Sequence, residues 1–346
     1  MKQLLPLSTV LLLMPLQVAC VHTEAPPPAA AIEASATVPV SPYAEAATAI
    51  NATMRANHYS PAELDGPAYA AMEAGVIALA NSATSDEDFL SGFKDLWKDG
   101  PFSHVLLNKS KHSASETAAY LDTLRVGEGA KLSWQGDAAT LTVNTMVGLD
   151  TIEQIDAAYD EIAAHGASRL VIDLRKNPGG AFAVLPLVEH VLSEPLDAGG
   201  FVAQRWNAEH NTPPTLADLE QVTPWTGWSI RSFWTDVTSA PLTRIRFEPR
   251  PNAYQGPVFV LISHETASAA ELAADALKSS GRAVLIGETT AGEMLSQKMF
   301  DIPGGYQLYL PIADYYSVKN GRIEGHGVTP DIICDPDLAL EKALEM

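Results

Sequence analysis

The chain has 346 residues, with 22 Lys and Arg against 42 Asp and Glu, for a formal charge of −20. That balance argues against a nucleic-acid binder, which needs clustered cations to neutralise phosphate, and against docking on anionic lipid through a basic face. Hydrophobic residues at 47% supply a packed core, and two cysteines make neither a disulfide framework nor a zinc-spaced cluster, so no metal or cofactor is expected.

Met1-Lys2 followed by the apolar run Leu4 to Val18 is the pattern of a secretory signal, assigned to residues 1–19; Pro6, Pro15 and the short length count against a spanning helix. Ala19-Cys20 resembles a bacterial lipoprotein cleavage site, with Cys20 receiving the lipid, although Gln17 stands where such sites usually carry Leu. Residues 20–42, rich in Ala, Pro, Glu and Thr, read as a semi-extended linker between a tether and a folded body. These features predict an exported, cell-envelope protein with a membrane tether, and leave Cys334 without a disulfide partner.

Residues 43–124 read as a small helical N-terminal domain. Ser60-Pro61-Ala62-Glu63 predicts a helix start with Pro at the first position. Ser85-Asp86-Glu87-Asp88 opens another, with Phe89, Leu90, Phe93, Leu96 and Trp97 at helical spacing. From residue 125 onward the pattern turns to α/β. Thr140 to Asn144 alternates as a half-buried strand. Asp150 to His165 is a helix with Ile152, Ile155, Tyr159 and Ile162 on one face and Gly166 after its end. Leu170 to Leu174, Val258 to Ile262 and Ala283 to Ile286 are short apolar runs suited to strands covered on both faces, with a helix from Ser268 to Lys278 between the last two. Strand–helix–strand in so few residues predicts a mostly parallel sheet. Between Gly199 and Pro257 the pattern is weaker; Trp206, Trp225, Trp228 and Trp234 form either an aromatic substrate rim or an insertion packed on itself.

Two segments carry chemistry. In Thr266-Ala267-Ser268-Ala269-Ala270-Glu271, a serine at a strand-to-helix junction sits at the sheet's C-terminal edge, facing free backbone N–H groups and a helix dipole. The alternative is an ordinary helix N-cap. Asp173-Leu174-Arg175-Lys176-Asn177-Pro178-Gly179-Gly180 ends a buried strand in bare backbone able to approach a ligand, or is a plain turn.

Together, in this order, the two segments resemble the S41 family of serine peptidases, which includes the C-terminal processing proteases and the tricorn core. Gly287-Glu288-Thr289-Thr290-Ala291-Gly292 and Glu324-Gly325-His326-Gly327-Val328-Thr329-Pro330-Asp331 extend the resemblance. It implies an α/β fold with a ClpP/crotonase-like core over residues 125–346, preceded by the helical domain. The branch that pairs its serine with a lysine in a Gly-Lys-Gly context is disfavoured: Glu293 stands at that place, and Lys298 nearby lacks the motif. The tricorn-like branch implies Ser268 as nucleophile, His104 as its base, and Ser103 and Glu324 completing a polar chain. The oxyanion hole falls to Gly179 or Gly180 together with Ala269, and Glu271 reads as structural. His264, four residues before the serine, is a rival base. About 35 residues between His104 and the first core strand leave no room for a PDZ domain.

The resemblance implies a peptidase acting on peptide or protein substrates through an acyl-enzyme. A fold-sharing peptide-binding protein without turnover, and an esterase-type hydrolase, are the alternatives.

Overall fold

The computed structural model describes residues 41–346; the expected signal, Cys20 and nearly all of the linker lie outside them. Three helices come first, α1 (Ala44–Asn57), α2 (Pro67–Ser82) and α3 (Asp86–Lys98). At the start of α3 the Asp88 N–H donates to Ser85 Oγ at 3.1 Å, and three acids occupy the first turn, where the helix dipole favours negative charge. Phe89, Phe93 and Trp97 recur at helical spacing and are buried. The helix expected at Ser60 is instead a 3₁₀ turn, Pro61–Asp65. Pro67 has no N–H to continue it and holds Gly66 in an extended conformation, so the α-helix restarts at Pro67.

Then follow β1 (Leu106–Lys109), α4 (Ala114–Leu121), β2 (Ala130–Gln135), β3 (Ala138–Val143), α5 (Leu149–His165), β4 (Arg169–Asp173), α6 (Val184–Glu189), β5 (Leu196–Ala203), α7 (Gln204–Glu209), α8 (Leu216–Glu220), α9 (Ile230–Ser239) and β6 (Leu242–Phe247). The chain finishes with β7 (Val258–Ile262), α10 (Ala269–Ser279), β8 (Ala283–Gly287), β9 (Ser296–Ile302), β10 (Tyr306–Ser317), β11 (Gly321–Arg322), β12 (Ile332–Ile333) and α11 (Pro336–Glu345).

One six-stranded sheet has the order β12-β8-β7-β4-β3-β2 and is parallel except for β2. This is the mostly parallel sheet that the apolar runs predict. A second, antiparallel sheet was not foreseen: β1-β10-β5-β6, with β9 and β11 also paired to β10. The main core joins both sheets, and α10 touches β8 of one and β5 of the other. On its far face the parallel sheet is covered by Ala339 and Ala343 of α11, packed on Val171, Phe259, Leu261 and Ile286. A second core sets α1, α2 and α3 against Ile302, Tyr306, Leu308 and Leu310. The helices are thereby tied to the second sheet, and residues 41–346 make one compact unit.

His58, at the end of α1, is fully buried and its ring lies 4.1 Å from that of Phe102. Among the described residues its Nε2 has no hydrogen-bond partner. Burial pushes the imidazole down to about 4. An ordinary histidine in the unfolded chain titrates near 6.5, so between those values the unfolded chain binds the extra proton and stability rises with pH. The contribution is complete above about pH 6.5 and disappears as the pH falls through about 4. Urea unfolding of the parent chain is therefore expected to lose about 2 kcal/mol more between pH 7.5 and 5 than that of His58→Phe. Equal losses in the two proteins would refute this account.

Candidate active site

β4 and β7 are adjacent and parallel, and the two chemical segments leave their C-terminal ends side by side. Asn177 locks them together from a fully buried position. Its Nδ2 donates to the Val143 carbonyl at 3.0 Å, its carbonyl accepts from the Ala267 N–H at 3.0 Å, and its Oδ1 accepts from the Gly179 N–H at 2.9 Å. Thr266 Oγ1 adds a 2.8 Å bond to the Leu174 carbonyl. Asp173 and Arg175 form a two-pronged ion pair, with bonds of 2.9 and 2.7 Å, and Arg175 also donates to the Pro336 carbonyl of α11. These two motif residues fasten the C-terminal helix and line a cavity other than the one Ser268 faces.

Ser268 caps α10 with φ 53° and ψ −121°, a left-side conformation that is strained for any residue with a Cβ. Gly179 makes the close approach possible: a Cβ there would stand 2.6 Å from the Ser268 Cβ. A Cβ on Gly180, at φ 140°, would meet Val147 at 2.5 Å. Among the described residues, the Gly180 and Ala269 N–H groups donate to nothing, whereas that of Gly179 is spent on Asn177. Gly180 and Ala269 both face the cavity that Ser268 faces; Gly179 does not.

Glu271, fully buried, accepts four hydrogen bonds: from Ser268 N–H at 3.0 Å, Thr290 Oγ1 at 2.5 Å, Gly292 N–H at 2.8 Å and Glu293 N–H at 2.9 Å. Burial raises its carboxyl above the ordinary range, and the four donors oppose that rise. Its work is to clamp the loop after β8 against the serine turn.

The same loop holds Glu324. Met294 and Leu295 N–H groups donate to its Oε2 at 2.7 and 3.1 Å. Its Oε1 accepts from Ser103 Oγ at 3.0 Å, and Ser103 Oγ lies 2.6 Å from His104 Nδ1. Because the Ser103 proton goes to the carboxylate, Ser103 Oγ accepts from Nδ1–H, which assigns the bare lone pair of the imidazole to Nε2. Gln297 Nε2 donates to the His104 carbonyl at 2.6 Å. Among the described residues no hydrogen bond joins Ser268 Oγ to His104, although both line one cavity.

That cavity holds about 660 Å³. Four non-glycine residues among those described have positive φ, and three of them, His104, Trp228 and Ser268, face into it. Backbone strain gathers at functional sites, so the coincidence marks the cavity independently of any motif. Phe182, Trp225, Trp228, Phe233 and Trp234 build an aromatic wall, with Trp225 and Trp228 centroids 5.1 Å apart. Trp206 belongs elsewhere, packed with Val202, Leu219 and Leu242. The rival base His264 lines a different, polar cavity beside Glu288, with its side chain 75% exposed. Glu293, at the disfavoured lysine's position, is exposed on the cavity rim. Among the described residues no group of His, Cys, Asp and Glu is arranged to hold a metal ion.

Sequence reading missed Gln297 and Asn177. Asn177 stood inside the quoted motif, but its structural task depends on two chain segments far apart in sequence. Gln297 had no signal, since its bond to the His104 carbonyl joins positions 193 residues apart.

A sequence profile described as peptidase family S41 matches residues 137–334. The chain is 29% identical over 178 residues to a carboxyl-terminal-processing protease of Picosynechococcus sp., covering 51% of this chain and 34% of that one. It is 28% identical over 240 residues to a carboxyl-terminal-processing protease of Synechocystis sp., covering 67% of this chain and 44% of the other. It thus spans less than half the length of these curated relatives. The structure of a lipoprotein from Streptococcus agalactiae has the same fold, with a TM-score of 0.57 at 15% identity, covering 87% of this chain and 94% of that one.

Proposed function

The chain belongs to peptidase family S41, and from that premise we propose that it is a serine peptidase hydrolysing peptide bonds through an acyl-enzyme on Ser268. The observation that carries the reading is the hydrogen-bonded line Glu324–Ser103–His104, which leaves His104 Nε2 as an acceptor in the cavity that holds Ser268. Ser268 Oγ attacks the substrate carbonyl carbon while its proton passes to Nε2. Charge arising on the imidazole is balanced through Ser103 by the Glu324 carboxylate. The carbonyl oxygen, now an oxyanion, receives the unused N–H groups of Gly180 and Ala269. His104 then returns the proton to the leaving nitrogen as the C–N bond breaks. Water, deprotonated by the same imidazole, attacks the ester; its hydroxyl leaves on the product acid and the proton goes back to Ser268. The missing Ser268–His104 bond fits this scheme, since catalytic hydrogen bonds are often long without substrate and tighten in the Michaelis complex.

That missing bond also favours a second reading, a peptide-binding protein without turnover. A fluorophosphonate probe separates the two. The peptidase reading expects covalent labelling of Ser268, located by peptide mass spectrometry and lost in Ser268→Ala. A folded parent chain that stays unlabelled leaves the binding protein standing. Export and lipid attachment at Cys20 complete the proposal, supported by Lys2, the apolar run to Val18 and the Pro-rich stretch after it.

A further inference from the structure

Lys298 is the sole lysine or arginine among the described residues that line the Ser268 cavity. It lies on β9, next to the Gln297 that touches the His104 carbonyl. Although the chain carries 42 acids, no carboxylate of the described residues comes within ion-pair distance of its Nζ. The ammonium makes one long contact, 3.5 Å to the Trp234 carbonyl, and sits 5.2 Å from the centroid of the Phe300 ring. Half-buried between the Trp234 backbone and the Phe300 ring, it is partly stripped of water, and that desolvation lowers its pKa. A cation left unpaired in a low-dielectric wall is costly unless an anion arrives with the ligand. Glu293, the wall's carboxylate, is exposed on the rim, is not paired with Lys298, and is screened by solvent.

We infer that Lys298 is a specificity-determining residue that binds a carboxylate of the peptide lying in the cavity, beside large apolar side chains received by Trp225, Trp228 and Trp234. The carboxylate is either the peptide's own C-terminus or an Asp or Glu side chain. The inference rests on the peptide-cleaving reading of the same cavity and names its substrate class.

The test measures binding without turnover. The Ser268→Ala protein is titrated with three aromatic-rich hexapeptides, and quenching of tryptophan emission is followed. One peptide is the free acid, one its C-terminal amide, and one an amide with a single internal Asp. At least one carboxylate-bearing peptide is expected to bind tenfold or more tightly than the plain amide, and which one does so identifies the source. Adding Lys298→Met is expected to erase that preference, and Lys298→Arg to retain it. Equal binding of all three, no binding of any, or a preference that survives both Lys298→Met and Lys298→Gln overturns the inference. In the chain that keeps Ser268, Lys298→Met is expected to preserve fluorophosphonate labelling. Loss of labelling in that variant, with folding intact, would make Lys298 a base and overturn its role as an anchor. Failure of the parent chain to label at all would instead strike the peptidase reading and leave the binding result standing.

Discussion

Replacing His104 with alanine is expected to lower kcat/KM on a peptide substrate by about 10⁴-fold, and combining it with Ser268→Ala to lower it little further. In the proposed mechanism the two groups act as one device: a serine hydroxyl without an acceptor for its proton is a poor nucleophile, and an imidazole without the serine has no proton to take. Ser103→Ala keeps the ring but unties Nδ1 from the chain that fixes its tautomer, so a smaller loss of roughly 10²-fold in kcat with KM unchanged is expected. Steady-state kinetics on the single and double variants check the series. Losses in His104→Ala and Ser268→Ala that multiply in the double variant would mean that the two residues work independently.

The second large effect concerns stability. Glu271→Ala removes the acceptor for three backbone N–H groups and the Thr290 hydroxyl at a buried site. A buried donor left unsatisfied costs about 1–3 kcal/mol, and the groups share one vacancy, so a total loss of about 4 kcal/mol is expected in urea unfolding. Glu271→Gln keeps one acceptor oxygen and the volume, and is expected to recover about half of it. Activity should fall with Glu271→Ala even where the protein remains folded. The loop that Glu271 clamps also supplies the Met294 and Leu295 N–H groups that hold Glu324. An alanine variant as stable as the parent would remove Glu271 from this structural role.

The parallel sheet was legible because its inner strands are covered on both faces, and such strands appear as unbroken apolar runs: every residue of β7 and all but the first of β4 are buried. The antiparallel sheet was hidden for equally physical reasons. Its central strand, β10, carries Pro311 beside a register shift, and β5 carries Gly199 and Gly200 just after another. Proline and glycine break the alternation on which strand reading depends. Gly199 has its own cause, since a Cβ there would lie 2.2 Å from the Tyr316 carbonyl oxygen.

Within the candidate site, motif order in the sequence was enough to bring together Ser268 and the glycine pair, which the fold sets side by side. It did not distinguish Gly179 from Gly180, whose N–H groups differ because Asn177 engages only that of Gly179. The tryptophans divided only once folded, three onto the cavity wall and Trp206 onto a separate cluster. The contact between Ser103 and Glu324 spans 221 positions, and no local pattern records such a partnership.

The pairing of β1 with β10 has a consequence for biogenesis. Residues 106–109 find their strand partners only at 306–309, and the first three helices close their core on the same late strand. A chain made from its N-terminus must therefore carry an open greasy surface through nearly two hundred further residues of synthesis, a long-range closure of the kind that slows folding. Exposed apolar surface of that kind is prone to aggregate, and His104, seated just ahead of β1, gains its neighbours on β9 and the Glu324 turn only once those late segments exist.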